Sequence, residues 1–468
     1  MRFKSFLIEE VLTDWKSYLS SNSMIFNAVK ILEKIESKGY EAFIVGGAVR
    51  DLVMGIIPHD IDIATNCPIN VLSTIWKTHE IGKSKDFGII TINQGNENYE
   101  IAQYRSDGKY IDGRKPESVE IVGSFQEDAS RRDFRFNAMA IDKDGNIIDY
   151  FDGHKDIKNK VLKTVGDPRK RFGEDYLRIM RAARFSAKLG FIIEPKTKEA
   201  AKELSSHVLK LSPERIRDEI FKAAEQPGEK FAQYLIELDD MGILELILPE
   251  ITKLKELEHN TEHHPEGPYI WDHLLAALKV NKLNDPLINL AILCHDVGKG
   301  ITQEWKNGSP VYYAHAEEGV KLIEAIADRL KLSNTERDTL IFTTLNHMKF
   351  HKILEMKPSK ILKLVNDNNW DILVAVGMAD ERSRGEVFKY SGEVESIIDR
   401  ALSIKNKYGI KGVEKTLRLV SGKHIMDITG LKPGPKIGEI ITKVEDWIVN
   451  NDIDPKNTEM INDYIKSL

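Results

Sequence analysis

The chain has 468 residues, 41% hydrophobic and 30% charged, which gives enough apolar material for packed cores and excludes wholesale disorder. Only two cysteines, Cys67 and Cys294, occur over this length, which excludes a disulfide-stapled secreted scaffold and a cysteine-ligated zinc site and points to a reducing cytoplasm. The net charge of −6 argues by itself against a nucleic-acid partner, but residues 155 to 222 hold 18 Lys plus Arg against 10 Asp plus Glu, a local +8 that leaves −14 elsewhere.

Such a length divides into roughly three or four domains. Residues 1 to 25 mix acids and lysines into their apolar positions, so they read as an N-terminal extension with an extra helix and lack a signal-peptide core. No apolar run is long enough to span a bilayer, and no membrane role is expected. Residues 26 to 153 alternate short β-rich runs (FIVGG, IDIAT, GIITI, YEIAQY, VEIVG, NAMAID, NIIDYF) with helical stretches, the pattern of a small head domain with a mixed sheet. From 154 onward apolar positions fall three and four apart, and no strong strand signal follows Ile192. The fold class is therefore α+β, a mixed-sheet head followed by all-α segments at 154–256, 257–385 and 386–468. Polar stretches at 257 to 269 and 384 to 392 mark the junctions.

In the head, FIVGGAVRD at 43 to 51 reads as strand, glycine turn and short helix, and HDID follows it. Asp60 and Asp62 are two apart on an extended strand, so both carboxylates face one site beside the backbone that Gly46 and Gly47 leave uncovered. Hard Mg²⁺ prefers one or two carboxylates plus phosphate oxygens, and two such ions about 3.5–4 Å apart can clamp an in-line displacement. A solvated turn accounts for an isolated pair as well. In RRDFRFNAMA, 131 to 140, arginine forks suit triphosphate oxygens and Asp133 can accept from a ribose hydroxyl, with a surface ion pair as the plainer alternative. In GEDYLRIMR, Asp175 and Arg178 are three apart on a predicted helix and share a face. One fixed acceptor beside one fixed donor would accept the pairing edges of cytosine and adenine and refuse those of uracil and guanine, whereas an i,i+3 salt bridge explains the pair without function.

Downstream, His273 lies in WDHLLAAL, His295 and Asp296 end the apolar run LINLAILCHD, and His315, His347 and Asp380 follow. Imidazoles with carboxylates suit a divalent transition metal, and a lone buried histidine needs no ligand to explain it. In the tail, TGLKPGPKIGEIITKV brings Lys432 and Lys436 to a helix start that caps itself or grips an RNA phosphate.

The ordered set GGAVRD with DID, RSDGKYIDGRKP, RRDFRFNAMA, DYFDGHKDI, EDYLRIMR and SPERIRDE resembles class II tRNA nucleotidyltransferases over about residues 30 to 222, the CCA-adding enzymes and their poly(A) polymerase relatives. The resemblance implies that Asp60 and Asp62 hold Mg²⁺ and that CTP and ATP are bound by Gly46, Gly47, Arg50, Arg131, Arg132, Asp133, Asn137, Asp175, Arg178, Arg181 and Arg184. It also implies a flexible loop with Arg105, Asp107, Asp112 and Arg114 that assists the switch from C to A, a supporting role for Glu100, and the acceptor arm and 3′ end of tRNA as partner. Arg135 and Phe136 depart from the small and aliphatic residues usual after RRDF, and Lys85-Asp86 interrupts a more regular strand. The series H…HD…H…H…D resembles the HD phosphohydrolases over about 260 to 385, which implies His273, His295, Asp296 and Asp380 as ligands of a second divalent metal, with His315 and His347 on a further ion or a substrate phosphate. Three functions follow as expectations: CCA addition with a possible phosphohydrolase activity on RNA ends, poly(A) addition, or an HD phosphohydrolase whose head only binds RNA.

Overall fold

An eight-stranded sheet, whose inner strands carry alternating apolar residues, is formed by β1 (Ile8–Val11), β2 (Ala42–Val45), β3 (Asp62–Thr65), β4 (Thr78–His79), β5 (Ile89–Gln94), β6 (Glu97–Gln103), β7 (Ala140–Ile141) and β8 (Asn146–Ile148). The strand order is β1-β8-β7-β2-β3-β6-β5-β4, with β3 and β6 parallel and β2 antiparallel to both β3 and β7. The computed structural model describes residues 8–11, 15–76, 78–79, 88–107, 110–111, 115–116, 119–259, 264–385, 391–408 and 419–468. Two units divide the chain: residues 1–223 with 233–247, and residues 224–232 with 248–468.

The sheet is covered on both faces. Ile44 and Ile63 point to one core with Ile25 and Leu32 of the helix Ser23–Glu36. Their neighbours Val45 and Ala64 point to the other, against Tyr104, Phe125 and Ala129. By the same alternation Asp62 stands on the side of Ala64, toward the helix Phe125–Ser130 that leads into the arginine pair.

Two expectations are corrected. The N-terminal extension is not helical throughout: Trp15–Ser21 is a helix, but Ile8–Val11 pairs with β8, whose outer edge would otherwise present unpaired backbone groups. Strands also recur after Ile192, as a hairpin of Gln303–Lys306 with Ser309–Tyr312. Its signal was legible, because Asn307-Gly308 is a two-residue loop in which both residues take positive φ, 53° and 78°. The segment VEIVG is a strand, but Val119–Ile121 pairs with Arg105–Asp107 in a ribbon separate from the main sheet.

In the second unit the helices Ile270–Val280, His315–Leu330, Asn334–His351 and Trp370–Ser383 carry His273, His315, His347 and Asp380, and His295 and Asp296 lie in the turn that directly follows the helix Pro286–Cys294. Asp285 caps the last-named helix by accepting from the Leu287 and Ile288 amides at 2.8 and 3.1 Å, which fixes where the buried LINLAILC run begins. The tail helix Pro435–Asn450 starts at the predicted glycine and proline turn. Among the described residues no helix is long and apolar enough to cross a membrane.

Candidate active site

The head cleft begins where β2 ends. Gly46 takes φ 73°, and a Cβ there would lie 3.4 Å from the Arg132 guanidinium and 3.8 Å from the Asp62 carboxylate, so a side chain would intrude between them. Val45 pairs with Asp62 at the last register position, after which the turn carries β2 away from its neighbour. Asp60 therefore precedes the strand, and the two aspartates do not share one ladder as expected. On the other side of β3, Glu100 lies beside Asp62 in parallel register, bringing a third carboxylate to the group. Loss of water around Asp62, then repulsion from Asp60 and Glu100, lift its pKa to about 6 against the opposing pull of Arg132.

Around this point a cleft of about 500 Å³ is lined by Gly46, Gly47, Arg50, Asp62, Arg131, Arg132, Asp133, Asn137, Asp175, Leu177, Arg178, Arg181, Phe185 and Arg215. Ten of the eleven residues expected to bind nucleotide are among them. Arg184 is not; it is buried beneath the cleft, where its guanidinium donates to Glu219.

The cleft's side chains are fixed by polar contacts. Asp128, which sequence reasoning missed, is 1% exposed and accepts from Arg131 at 3.0 and 2.8 Å and from Arg132 at 3.3 and 3.0 Å. Burial would raise its pKa, but Arg132 and Arg131 outweigh that and hold it below the usual carboxylate range. The spacing EDASRR, which sets an acid three and four residues before two arginines, is the signal that could have found it. Asp133 accepts from Arg181 at 2.9 and 2.6 Å and from Asn137 at 3.2 Å, and Asn137 in turn accepts from Arg50 at 3.0 Å.

Asp175 and Arg178 do not lie on one helix. The helix Pro168–Glu174 ends at Asp175, whose backbone is extended, and Leu177–Leu189 begins a new one. Both side chains still reach the same cleft, because Asp175 is tied to Arg215 at 2.8 Å and Arg178 to Glu174 at 2.6 Å. Of the loop residues, Arg105 donates its amide to Asp128 at 3.3 Å. Asp112, Arg114, Lys85, Asp86 and the Asp107 side chain lie outside the described residues.

The second unit holds a separate constellation. One donor set is His273, His295 and Asp380, another is Asp296, His315 and His347, and within each set the donor atoms lie within 4.8 Å of one another. The sequence grouped Asp296 with the first set; in the fold its carboxylate spans both, with Oδ2 3.4 Å from His295 Nε2 and Oδ1 3.4 and 3.5 Å from the Nε2 atoms of His315 and His347. His295, His315 and His347 each bond through Nδ1 to the carbonyl three residues earlier, those of Ile292, Tyr312 and Thr344, at 2.7, 2.8 and 2.7 Å. An Nδ1–H donor leaves the Nε2 lone pair as the metal-facing atom. The Nε2 atoms of His315 and His347 approach to 3.1 Å, and that of His295 is buried with no hydrogen-bond partner, an arrangement suited to cations. Burial disfavours charge on His273, but Asp380 and Glu266 outweigh it and raise its pKa to about 9, while burial first and His264 second depress His259 to about 4. Lys299 contacts Asp296 at 2.6 Å and, with His295, holds that buried carboxylate far below its ordinary pKa against the effect of burial.

Comparison with known proteins places these sites in context. A family described as "Poly A polymerase head domain" matches residues 42–163, and "Probable RNA and SrmB- binding site of polymerase A" matches 190–255. The CCA-adding enzyme of Streptococcus suis is 30% identical, with 94% of this chain and 96% of that protein covered. The CCA-adding enzyme of Staphylococcus haemolyticus is 31% identical, with 93% and 97% covered. Among solved structures, the Bacillus stearothermophilus CCA-adding enzyme in complex with CTP superposes with a TM-score of 0.71 at 24% identity, covering 95% of this chain and 98% of the other. The Thermotoga maritima CCA-adding enzyme complexed with tRNA gives 0.60 at 19% identity, covering 97% and 98%.

Proposed function

Because the chain belongs to the CCA-adding enzyme family, we propose that it adds C, C and A to the 3′ end of tRNA from CTP and ATP, with side chains in place of a nucleic-acid template. The observation that carries this reading is the single cleft that gathers Asp62, the arginines and the Asp175/Arg178 pair. Asp60 and Asp62, with Glu100 alongside, would hold divalent cations. Burial, and after it the crowding of Asp60 and Glu100, raises the Asp62 pKa; a cation would relieve both, and Mg²⁺ suits carboxylates shared with phosphate oxygens. When bound, such ions activate the attacking hydroxyl and neutralise the leaving pyrophosphate.

The protein's own groups do the positioning. Asp128 holds Arg131 and Arg132 at the wall where phosphates would lie, and Asp133, held by Arg181 and Asn137, presents acceptors toward a ribose. Asp175 as acceptor and Arg178 as donor match the amino group and ring nitrogen shared by cytosine and adenine. Discrimination then follows from polar groups left unpaired by a wrong base. Substrate shape, read by the basic stretch from 155 to 222, selects the RNA, and the cytosol is its place of work.

The test is end-sequencing of tRNA lacking CCA after incubation with CTP, ATP and magnesium. Termination at CCA is expected. Long runs of A from ATP alone would assign the chain to the poly(A) polymerases instead, and absence of incorporation would remove the transferase reading.

We infer a second activity, phosphate-ester hydrolysis at RNA ends, from the two donor sets of the second unit. His273, His295 and Asp380 would hold one divalent transition ion and Asp296, His315 and His347 another. Held by these residues, such ions would supply Lewis acidity toward a phosphate ester and lower the pKa of an attacking water. RNA ending in a 2′,3′-cyclic phosphate should be opened by the wild type and by Asp62→Asn, and not by Asp296→Asn; hydrolysis that survives Asp296→Asn would refute the assignment.

A further inference from the structure

His259, His264 and Glu266 form a third donor set, outside the H…HD…H…H…D series, with one donor atom from each within 4.8 Å of the others. The rings of His259 and His264 stack nearly parallel, 13° apart with centroids at 3.9 Å, so one of them has to turn to aim its in-plane lone pair at an ion shared with the other. From there the imidazoles continue without a break: His264 to His273 at 5.0 Å, His273 to His295 at 5.5 Å, His295 to His347 at 5.2 Å and His347 to His315 at 5.1 Å. Glu266 joins the third set to the first, because its Oε1 lies 2.8 Å from His264 Nδ1 and 2.7 Å from His273 Nδ1.

Two atoms of this set are unsatisfied. His259, 6% exposed, bonds through Nε2 to the Gly267 carbonyl at 2.9 Å, which leaves its Nδ1 buried with no hydrogen-bond partner. Glu266 Oε2 is buried in the same condition. A buried imidazole nitrogen and a buried carboxylate oxygen left unpaired are costly, and a shared cation would satisfy both at once. Two imidazoles and one carboxylate are also the His₂Glu set that holds zinc with a coordination position left for water or substrate.

We propose that His259, His264 and Glu266 bind a third divalent transition-metal ion of the zinc class, in line with the two donor sets already described and open to a phosphate of the RNA end. The inference rests on the metal reading of those two sets. The rival account makes Glu266 only an orienting partner of His273, in the way carboxylates commonly support a metal-bound imidazole.

Cobalt separates the two. Full-length protein stripped of metal is titrated with Co²⁺, and nitrogen-ligated ions are counted by visible absorption, in which carboxylate-bound Co²⁺ of the head absorbs weakly. Three equivalents are expected for the wild type, two for His259→Gln, and three again for His264→Cys, since a thiolate replaces an imidazole as a ligand. Circular dichroism melting confirms that each variant folds. Two equivalents in the wild type, unchanged in His259→Gln, would overturn the third site and leave the other two standing; none in the wild type would overturn both. The wild-type count decides even if a variant fails to fold.

Discussion

Asp156 is the most informative place to test how the head domain tolerates buried charge. It is 3% exposed, its Oδ2 has no hydrogen-bond partner, and its nearest cation, Arg135, is 4.0 Å away. Burial, with repulsion from Asp152 and Asp149 and partial relief from Arg135 and Lys163, raises its pKa from 3.8 to about 6. An acid whose folded pKa lies above its unfolded value binds its proton more tightly when folded, so stability rises as pH falls from about 7 to about 4. Taken whole, the difference corresponds to about 3 kcal/mol, and relaxation of the site makes about 1–3 kcal/mol the expected range. Asp156→Asn keeps the shape and removes the charge, so it should stabilise the first unit by that amount at pH 8 and by almost nothing at pH 4. In thermal melts this is a rise of about 3–10 °C at pH 8 for a unit of this size. Equal shifts at both pH values would show that shape, not charge, decides, and a destabilised variant at pH 8 would refute the reasoning.

Asp62→Asn should lower the rate of nucleotide addition by about 10³-fold or more while the fold and CTP binding persist, as single-turnover assays and nucleotide titration would report. Asp128→Ala removes the acceptor shared by Arg131 and Arg132; urea melts should show a loss of about 3–5 kcal/mol, and the KM for CTP and ATP should rise more than kcat falls. Arg178→Ala should raise misincorporation of UTP relative to CTP by about tenfold to a hundredfold, measured by competition on one tRNA, and an unchanged ratio would exclude it from base choice.

Much of the head was readable because its signals are local. The strand, glycine and helix of FIVGGAVRD and the apolar alternation of the next strands are set by residues close in sequence, whereas the full set of cleft residues came from the resemblance to class II tRNA nucleotidyltransferases. Asp60 fell outside its expected strand because ladder length depends on the partner, and β2 leaves at Gly46. Asp175 and Arg178 sit on opposite sides of a helix break that the apolar spacing of 176 to 191 conceals, and Arg215, which holds Asp175, is 40 residues away. Arg184 carries the same periodicity as Arg181, yet one turn of helix directs it to buried Glu219. In the second unit the histidines were visible one by one. Their division into sets was not, since Asp296 follows His295 directly and keeps one oxygen 3.4 Å from it, while its other oxygen reaches His315 and His347, 19 and 51 residues further on, at 3.4 and 3.5 Å.

The three imidazoles anchored on carbonyls three positions upstream take their orientation from peptide groups, which every amino acid possesses. The side chains at 292, 312 and 344 are therefore not needed to aim the rings, although core packing still constrains Ile292 and Thr344, both fully buried. The inward aim of the three Nε2 atoms is thus written into backbone shape rather than into neighbouring side chains.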